Sequence, residues 1–430
     1  MTDLKLTPYW WEAAPIEDAK VLDIPAFADV CIVGAGFAGL SAALWLARSG
    51  RSVVVFDSQR AGEGASSRNG GIASGNIKFT FNEMIKKFGL DQAKDIYAEG
   101  IAARDHLEAV INTEKINCSY KITGRFTGAN YQVDYDAQAR EADVLNKHLD
   151  MGAKMISKAD QQSELGTNFY VGGMVRPDIG GLHPGQLHQG FLARAREAGV
   201  TIICETRATK IIKLGKKFSV STSRGQVTSR DVIIATNGYT DGLVPWLNRR
   251  IIPIPSQIIA TENIEPKLMN QLMPKRRMLG NTLNLYNYFR PSPDDKCIIF
   301  GGRKGANTDD PKQKAMGLRE QMVQVFPELK DVTIRYSWWG YTGYTFDYLP
   351  KINVHNGIHY ALGFCGSGVV WANWLGLKAA LAILGEQDTE SVFAKYPFQT
   401  RPLYFGKPWF LPFVISWYDV KDKLKRMRYG

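Results

Sequence analysis

Three glycines near the N-terminus have a spacing that suits the binding of a phosphate-containing cofactor. Gly34, Gly36 and Gly39 form the pattern G-x-G-x-x-G, and Asp57 follows eighteen residues after the last of them. In this pattern the first glycine permits a tight turn, the second lets the backbone approach a pyrophosphate, and the third allows close helix packing. The N-terminus of that helix offers free N–H groups to the anion, and Asp57 would accept hydrogen bonds from ribose hydroxyls. These residues therefore predict a dinucleotide site.

The surrounding residues have the patterns of the elements that such a site requires. Residues 29–36 are an almost continuous β-branched and apolar run, which is typical of a strand buried on both faces of a parallel sheet. Residues 37–49 place apolar side chains at helical spacing before Gly50, a suitable C-terminal cap, and residues 52–57 form a second apolar strand. Strand, turn, helix and strand are complete within about thirty residues, so the pattern predicts a Rossmann-type βαβ unit.

The segment directly after the second strand favours FAD over NAD. It reads Gly62-Glu-Gly-Ala-Ser-Ser-Arg-Asn-Gly-Gly-Ile72, which is long and rich in glycine and hydroxyl groups. Backbone of this kind can approach a flat ring closely. At this segment the chain resembles the D-amino-acid oxidase-like superfamily of FAD proteins. It is most similar to the γ-glutamylputrescine oxidoreductase branch, whose members carry an Ala-Ser-x-Arg-Asn-Gly-Gly-like sequence here.

The resemblance extends over nearly the whole chain through a series of motifs in the same order. These motifs are GLHPG at 181–185, ATNGY at 235–239, RRIIPI at 249–254, IIATE at 258–262, FGGR at 300–303 and GFCGSGV at 363–369. The resemblance implies an α/β fold in which a Rossmann-type FAD-binding domain is joined to a substrate domain. The substrate domain would be a mostly antiparallel β-sheet with helices.

Length and local patterns also indicate two domains, because 430 residues exceed a single small core. We expect a discontinuous FAD-binding domain formed by residues 1–80, 150–245 and 335–430. The substrate-binding domain would comprise residues 81–149, which are helical in character, and residues 246–334, where short β-like runs alternate with turn signals.

The family resemblance further implies which residues contact FAD. Residues 64–72 and 363–369 would flank the isoalloxazine ring, the latter at a helix N-terminus suited to negative charge on the reduced ring. The strand end at residues 207–208 would touch the adenine half. The predicted FAD-binding residues are Gly34, Gly36, Phe37, Ala38, Gly39, Asp57, Ser58, Gly64, Ala65, Ser66, Arg68, Asn69, Gly70, Gly71, Ile72, Ala208, Ala235, Gly238, Gly363, Cys365, Gly366, Ser367, Gly368 and Val369.

Two departures from the family pattern affect the flavin site. Relatives commonly have Gly-His-Gly where this chain has Gly366-Ser367-Gly368, so a hydroxyl replaces the histidine. Some superfamily members attach the flavin through a cysteine near the motif at residues 339–347, which contains none here. We therefore predict non-covalent FAD. Cys365 is expected to act as a small buried hydrophobe rather than as a reactive thiol.

Hydride transfer from a neutral amine to flavin N5 requires mainly a dry site that positions the donor. We therefore assign no catalytic side chain, and turn formation accounts for His183. Aromatic residues and arginine are natural substrate contacts, since arginine presents a fork of donors to a carboxylate. Arg68 shares this property with Arg303, and Trp338 is a further aromatic candidate. The predicted substrate residues are Tyr288, Arg303, Trp339, Tyr341 and Trp371.

The family resemblance supplies the expected reaction, which is FAD-dependent oxidation of an amine C–N bond to an imine, followed by hydrolysis to an aldehyde and an amine or ammonia. A γ-glutamylated amine or polyamine is the favoured substrate. An N-methylated or D-amino acid, as in sarcosine oxidation, is the alternative. A non-catalytic flavin-binding maturation or scaffold protein is a rival from another class. The electron acceptor is oxygen or another carrier.

Composition narrows the remaining possibilities. The net charge of +11 is spread along the chain without a nucleic-acid-binding module, so we expect no nucleic-acid partner. Five scattered cysteines suggest neither disulfides nor a metal site, and the N-terminus lacks a secretory signal, so a cytoplasmic location is expected. Near the C-terminus, an aromatic stretch at residues 409–418 precedes a cluster of Lys and Arg. We expect this region to pack on the FAD domain with a solvated basic tail, in preference to membrane-surface contact.

Overall fold

A computed structural model describes residues 4–303, 310–387 and 389–429. Its strands are Phe27–Val33 (β1), Val53–Phe56 (β2), Ile72–Ala73 (β3), Lys121–Ile122 (β4), Arg125–Gly128 (β5), Lys154–Ser157 (β6), Gly172–Arg176 (β7), Gly180–Gly181 (β8), Thr201–Ile203 (β9), Ala208–Leu214 (β10), Lys217–Thr222 (β11), Gln226–Ile234 (β12), Ile252–Thr261 (β13), Met278–Asn281 (β14), Tyr288–Pro291 (β15), Ile298–Gly302 (β16), Ile334–Tyr344 (β17), Lys351–His355 (β18) and Ile358–Leu362 (β19). Its α-helices are Phe37–Arg48 (α1), Ala65–Arg68 (α2), Phe81–Phe88 (α3), Leu90–Thr113 (α4), Gln132–Leu149 (α5), Pro184–Glu197 (α6), Pro245–Asn248 (α7), Pro266–Leu272 (α8), Pro311–Val325 (α9), Gly368–Leu384 (α10) and Leu411–Tyr429 (α11).

The first sheet is built around the predicted βαβ unit. Its strands run in the order β10-β11-β12-β1-β2-β9, and β19 joins β12 with β18 at its side. The pairs β1–β12, β1–β2, β2–β9 and β12–β19 are parallel, whereas β10, β11 and β12 form an antiparallel meander. This order places the ends of β1, β2 and β12 together at the carboxyl edge, where ligands bind in open α/β sheets.

The apolar sequence of β1 follows from burial on both faces. Val30 and Ile32 belong to the core shared with α1, α6 and α10, while Cys31 and Val33 face a second core on the opposite side of the sheet. A strand covered on both faces needs apolar side chains at successive positions rather than at alternate ones. The helix α1 then begins directly after the glycine turn.

The second sheet runs β17-β13-β16-β15-β14-β5-β7-β6, and its neighbours are antiparallel except for the β14–β5 pair. Helices α8 and α9 cover it, and their buried side chains share one core with Phe289, Phe300 and Ile259. The strands β3, β8 and β4 form a third, three-stranded sheet. The expected α/β fold, with a Rossmann-type sheet and a second, mostly antiparallel sheet, is confirmed.

Strand pairing differs in detail from the predicted domain boundaries. The strands β6, β7 and β17 fall almost entirely in segments assigned to the FAD-binding domain, yet all three pair within the second sheet. Conversely, α4 was assigned to the substrate domain, but its buried residues belong to the core of α1 and α10. Local sequence patterns predict where a strand lies, but they do not predict which strand it pairs with. We propose a domain division that follows the two sheets instead.

Within the three described ranges, no helix is both long and apolar enough to cross a bilayer.

Candidate cofactor and substrate site

An open cleft lies at the carboxyl ends of β1, β2 and β12. Its volume is about 1200 Å³ including the solvent-filled mouth. Many residues of the predicted FAD-binding set line it: Gly34, Gly36, Phe37, Ala38, Asp57, Ser58, Gly64, Ala65, Ser66, Asn69, Ala208, Ala235, Gly366, Gly368 and Val369. The fold thus brings together segments that are more than three hundred residues apart in the chain.

The glycine turn has no room for side chains. Gly34 has φ +112°, and a Cβ on Gly39 would lie 1.8 Å from the Gly34 carbonyl oxygen. A Cβ on Gly36 would lie 2.9 Å from Ser66 Oγ, which accepts a hydrogen bond from Phe37 N at 2.9 Å. The turn is therefore open only on the side of the cleft, as a backbone cradle for a pyrophosphate requires.

Asp57 lies at the tip of β2 with its carboxylate fixed by the backbone. Its Oδ2 accepts a hydrogen bond from Ala35 N at 2.8 Å and its Oδ1 accepts one from Gln59 N at 2.9 Å. Burial raises the pKa of this carboxyl group to about 6. The carboxylate still has lone pairs available, so the position suits a ribose diol.

His188, on α6, supports the same turn from behind, and the sequence analysis did not identify it. Its Nε2 lies 2.8 Å from the Ala35 carbonyl oxygen, and burial lowers the pKa of the imidazole to about 4. The ring is therefore neutral at physiological pH, and Nε2 donates to that carbonyl. A Cβ on Gly62 would lie 2.5 Å from the ring. His188 thus packs between the glycine turn and the segment after β2.

Three tryptophans hold consecutive residues of that segment. Trp11 Nε1 donates to Ser67 Oγ, Trp338 Nε1 to the Arg68 carbonyl oxygen, and Trp10 Nε1 to the Asn69 carbonyl oxygen, each at 2.8 Å. Trp10 and Trp11 are not among the predicted site residues, and they lie more than fifty residues before their acceptors. Their only sequence signal was two adjacent indoles in a polar N-terminal segment.

Two of the five N–H donors of Arg68 are engaged by this framework. Its Nε donates to the Glu63 carbonyl oxygen at 2.6 Å, one terminal nitrogen lies 3.3 Å from the Trp339 carbonyl oxygen, and the guanidinium stacks over Trp11 at 4.7 Å. Of the two arginines considered as carboxylate ligands, Arg68 is therefore better placed to brace the loop than to bind substrate.

Residues 363–369 form the opposite wall and lead into the first turn of α10. Gly363 and Gly366 have φ of +75° and +99°, and Asn237 Oδ1 accepts a hydrogen bond from Gly363 N at 2.9 Å. Cys365 is buried beside Thr345, and burial raises the pKa of its thiol to about 11. A protonated, buried thiol fits the expected packing role of this cysteine.

A cluster of tyrosines and cations faces this wall from the second sheet. A Cβ on Gly366 would lie 3.5 Å from Tyr344 Oη and 3.9 Å from Tyr286 Oη. Arg303, at the end of β16, donates to Tyr344 Oη at 2.7 Å, and its guanidinium lies 5.7 Å from the Tyr286 ring centroid. Among the described residues, Arg303 Nε is buried without a hydrogen-bond partner. Lys78 lies 5.0 Å from the Tyr286 ring centroid on the exposed side.

The electrostatics of this cluster are dominated by positive charge. Burial disfavours the guanidinium charge, but the Tyr344 and Tyr286 phenols outweigh it, and the pKa of Arg303 is raised. Burial acts to raise the pKa of Tyr286, but Arg303, Lys78 and Arg125 together lower it. A site whose cations lower a buried phenol's pKa also attracts an anionic ligand group.

The other predicted substrate residues occupy different positions. Tyr288 lies next to Tyr286, with ring centroids 6.1 Å apart, and its hydroxyl is 3.0 Å from Ser256 Oγ. Trp339 and Tyr341 stack edge to face at 5.1 Å, and Tyr341 in turn contacts Tyr239 of the cleft wall. Trp371 is fully buried, donates to the Asn76 carbonyl oxygen and packs against Phe393, so it belongs to the core.

The remaining predicted FAD-binding residues do not line the cleft. They are Gly39, Arg68, Gly70, Gly71, Ile72, Gly238, Gly363, Cys365 and Ser367. The cleft is also lined by residues outside the predicted set: Val33, Phe56, Gln59, Gly62, Thr236, Asn237, Tyr239, Asp241, Leu243, Thr342, Phe364 and Ala372. The ATNGY motif marked three of these, but without a role for their side chains.

These features are typical of a two-domain flavoprotein that binds a dinucleotide. They are the glycine turn, the fixed carboxylate of Asp57 and a long cleft that ends at the second sheet. A family model described as FAD dependent oxidoreductase matches residues 29–381. The chain therefore belongs to this family, and it is an FAD-dependent oxidoreductase. The predicted family and the predicted use of FAD are confirmed.

Curated relatives support the same assignment over most of the chain. A probable oxidoreductase OrdL of Haemophilus influenzae is 31% identical over 373 residues, which is 85% of each chain. Gamma-glutamylputrescine oxidoreductase of Escherichia coli is 29% identical over 405 residues, 92% of this chain and 93% of that protein. Among solved structures, glycine oxidase from Geobacillus kaustophilus has a TM-score of 0.73 at 19% identity, covering 88% of this chain and 99% of that one. L-proline dehydrogenase from P. horikoshii has a TM-score of 0.69 at 20% identity, with 91% and 99% covered. The two solved structures share the fold.

Proposed function

We propose that this protein oxidises a C–N bond of an amine that carries a carboxylate, with a γ-glutamylated amine as the favoured substrate. The resulting imine is hydrolysed to an aldehyde and an amine or ammonia. The observation that carries the proposal is Arg303, which has a buried, unpartnered Nε among the described residues. It donates to Tyr344 Oη, which faces Gly366 in the wall formed by residues 363–369. The 29% identity with gamma-glutamylputrescine oxidoreductase supports the choice of substrate.

The proposed site residues divide into two sets. The cleft residues around Gly36, Asp57 and Ser66 would hold non-covalent FAD, while the wall at Gly366 and Val369 would border its ring. FAD, when bound there, supplies the acceptor for the hydride that leaves the substrate carbon. The chain's own contribution is to bind the substrate, to orient its C–H bond and to exclude water.

The substrate carboxylate would contact Arg303, with a second positive charge from Lys78. The guanidinium offers a fork of N–H donors to a carboxylate, and Tyr344 Oη fixes one terminal nitrogen at 2.7 Å. Lys78 adds a second positive charge over the outer face of Tyr286. The rings of Tyr286 and Tyr288 would cover the alkyl part of the substrate, because aromatic side chains provide apolar area at low entropic cost.

A carboxylate contact would also suit an N-methylated or D-amino acid, so sarcosine-type oxidation is the second candidate. The two candidates differ in the distance between the carboxylate and the reacting C–N bond. In a D-amino acid the reacting carbon itself carries the carboxylate, and in an N-methylated amino acid only the nitrogen and the α-carbon separate the methyl group from it. In a γ-glutamylated diamine many bonds separate the two groups. The length of the substrate therefore discriminates between the candidates.

The deciding experiment is anaerobic reduction of the FAD-loaded protein. Purified protein is mixed with γ-glutamylputrescine, putrescine, sarcosine, dimethylglycine or D-amino acids, and loss of the flavin absorption band is followed before air is admitted. We expect γ-glutamylputrescine to bleach the flavin fastest. Reduction by sarcosine alone would favour the second candidate, and no reduction by any amine would favour a non-catalytic flavin protein. Rapid return of colour with peroxide formation would identify oxygen as the acceptor, and persistent bleaching would indicate another carrier.

A further inference from the structure

The C-terminal helix α11 packs on the molecule through one face. Ile415 is buried, and the Asp422 carboxylate accepts hydrogen bonds from the backbone N–H groups of Asn284 and Leu285 at 3.0 and 3.1 Å. Lys425 forms an ion pair with Asp134 of α5. These contacts fix α11 against the second domain, so its opposite face has a defined direction.

That opposite face is an exposed apolar stripe, formed by Phe413, Trp417, Val420, Leu424 and Met427. Their spacings of four, three, four and three residues place them along one side of a helix. Their exposed fractions are 73%, 55%, 43%, 56% and 83%. The segment before the helix adds Leu403, Phe405 and Trp409, which are 72%, 62% and 58% exposed. Contiguous exposed apolar surface of this kind marks an interaction site.

Positive charges border the apolar stripe on both sides. At about 100° per residue, Lys421 and Arg428 lie on one flank and Lys423 lies on the other. Arg426 lies farther round the helix. Asp419 is paired with Lys423 at 2.7 Å, and Asp422 is turned inward onto residues 284–285. The outward surface of α11 is therefore apolar in the middle and cationic along the edge formed by Lys421 and Arg428, while Asp419 balances the charge of Lys423 on the other edge.

We propose that α11 docks this surface onto an anionic lipid bilayer. An amphipathic helix with aromatic residues on one face and Lys or Arg beside them lies in the interface plane, its apolar side among the acyl chains and its cations at the headgroups. Trp417, Phe413 and Trp409 would enter the interface, where amphipathic rings are favoured. The charge pattern disfavours a second copy of this chain as the occupant, because pairing two such helices would bring cations against cations.

This inference is independent of the identity of the substrate. A docked α11 would hold the second domain close to the membrane, since Asp422 and Lys425 tie the helix to that domain. The expectation that this region packs on the FAD domain with a solvated basic tail is corrected in two respects: Asp422 and Lys425 of α11 contact the second domain, and the exposed face of the helix is apolar as well as basic.

The test is vesicle binding by the FAD-loaded, full-length protein. Sedimentation is measured with phosphatidylcholine vesicles and with vesicles in which about a third of the lipid is phosphatidylglycerol, at low and high salt. We expect binding to the anionic vesicles, a blue shift of tryptophan emission on binding, and weakening of binding as salt screens the cations.

Two sets of variants identify the surface. The triple variant Phe413→Ser, Trp417→Ser, Leu424→Ser should lower the apparent affinity by at least about tenfold, and Lys421→Glu with Lys423→Glu should do the same. The matched control is Leu214→Ser with Val354→Ser, which removes two other exposed apolar side chains. The control should bind vesicles as the unmodified protein does, and flavin reduction by amine should be unchanged in every variant.

Four results would overturn the proposal. The first is a protein that stays in the supernatant with both kinds of vesicle, and the second is binding that the stripe variants do not weaken. The third is a dimer in sedimentation equilibrium that the triple variant converts to a monomer, because the stripe would then be a self-association surface. Equal binding to neutral vesicles would remove the anionic component of the proposal and so contradict it.

Discussion

At the scale of single residues, Arg303 carries the proposed choice of substrate. Replacing it with Gln removes the charge and the fork of donors while leaving a polar side chain of related length. We expect the γ-glutamylputrescine concentration for half-maximal anaerobic flavin reduction to rise by about tenfold to a hundredfold, the usual loss for a charge-assisted pair. The response to free putrescine, which lacks a carboxylate, should change little.

The comparison between the two amines is the internal control for Arg303→Gln. An unchanged flavin spectrum would show that the cofactor site is intact. If the concentration for half-maximal flavin reduction rose by the same factor for both amines, Arg303 would support the fold of the site. The proposed contact between Arg303 and the substrate carboxylate would then be wrong.

Asp57 provides a prediction about pH at the same scale. Its pKa of about 6 means that the carboxyl group loses its proton between pH 5 and 7 and becomes a stronger acceptor for ribose hydroxyls. FAD binding should therefore strengthen as pH rises from 5 to 7, by about tenfold, since about one site in ten is ionised one unit below the pKa. The measurement is the FAD dissociation constant by fluorescence titration of the FAD-depleted protein.

Asp57→Asn is the matched variant for this titration. It should bind FAD more weakly at pH 7, because the amide is a poorer acceptor, and its affinity should lose most of the dependence on pH between 5 and 7. If the FAD affinity of Asp57→Asn depended on pH as steeply as that of the unmodified protein, another group would be responsible for the titration.

At the scale of elements, the three indole donors hold the segment of residues 67–69. Trp10→Phe and Trp338→Phe each remove one N–H while keeping an aromatic ring, and each leaves a backbone carbonyl without its donor. We expect each variant to bind FAD about fivefold more weakly, which corresponds to about 1 kcal/mol for one hydrogen bond. The measurement is again the FAD dissociation constant.

The control for the indole donors is Trp374→Phe. Trp374 Nε1 donates to Glu99 at 2.7 Å on the outer side of α10, so this variant also loses one indole hydrogen bond. It should lower thermal stability without weakening FAD binding. Equal FAD affinities for Trp10→Phe and Trp374→Phe would mean that the indole contacts do not shape the cofactor site.

The elements also show what the sequence could predict. The unit β1-α1-β2 could be predicted from the sequence because its signals are local. They are consecutive apolar residues, a glycine turn and a helical period within about thirty residues. The sheet membership of β6, β7 and β17 could not be predicted from the sequence. The strand β7 pairs with β5 across α5, β17 pairs with β13 across three other strands and two helices, and β6 joins the sheet only through β7. The contacts of Trp10 and Trp11 are equally non-local. The same reasoning applies to α11, whose exposed stripe became visible only once Asp422 fixed which face turns inward.

At the scale of the whole molecule, buried ionisable groups set how stability responds to acid. His183 and His188 are buried, and burial lowers the pKa of each imidazole to about 4. Both are therefore neutral in the folded protein, whereas in the unfolded chain they gain a proton near pH 6.5. Their stabilising contribution is fully present above pH 6.5 and is lost as pH falls toward 4, by roughly 3 kcal/mol each at pH 4. Because its pKa is raised, Asp57 adds to the free energy of unfolding as pH falls over the same range. One carboxyl group offsets only part of the stability that the two histidines lose.

We therefore expect the thermal midpoint of the protein to fall steeply between pH 6.5 and 4, and the slope to be shallower in His188→Gln, which cannot gain a proton. Calorimetry at half-unit steps of pH measures both. The matched control is Leu187→Ala on the same helix: it opens a cavity in the core and should lower the midpoint at every pH without changing the slope. Parallel curves for the unmodified protein and His188→Gln would show that His188 does not govern acid sensitivity. A shallower curve for His188→Gln would show that protonation of His188, which donates to the Ala35 carbonyl in the glycine turn, lowers stability in acid. Acid would then destabilise the cofactor-binding turn and the fold together.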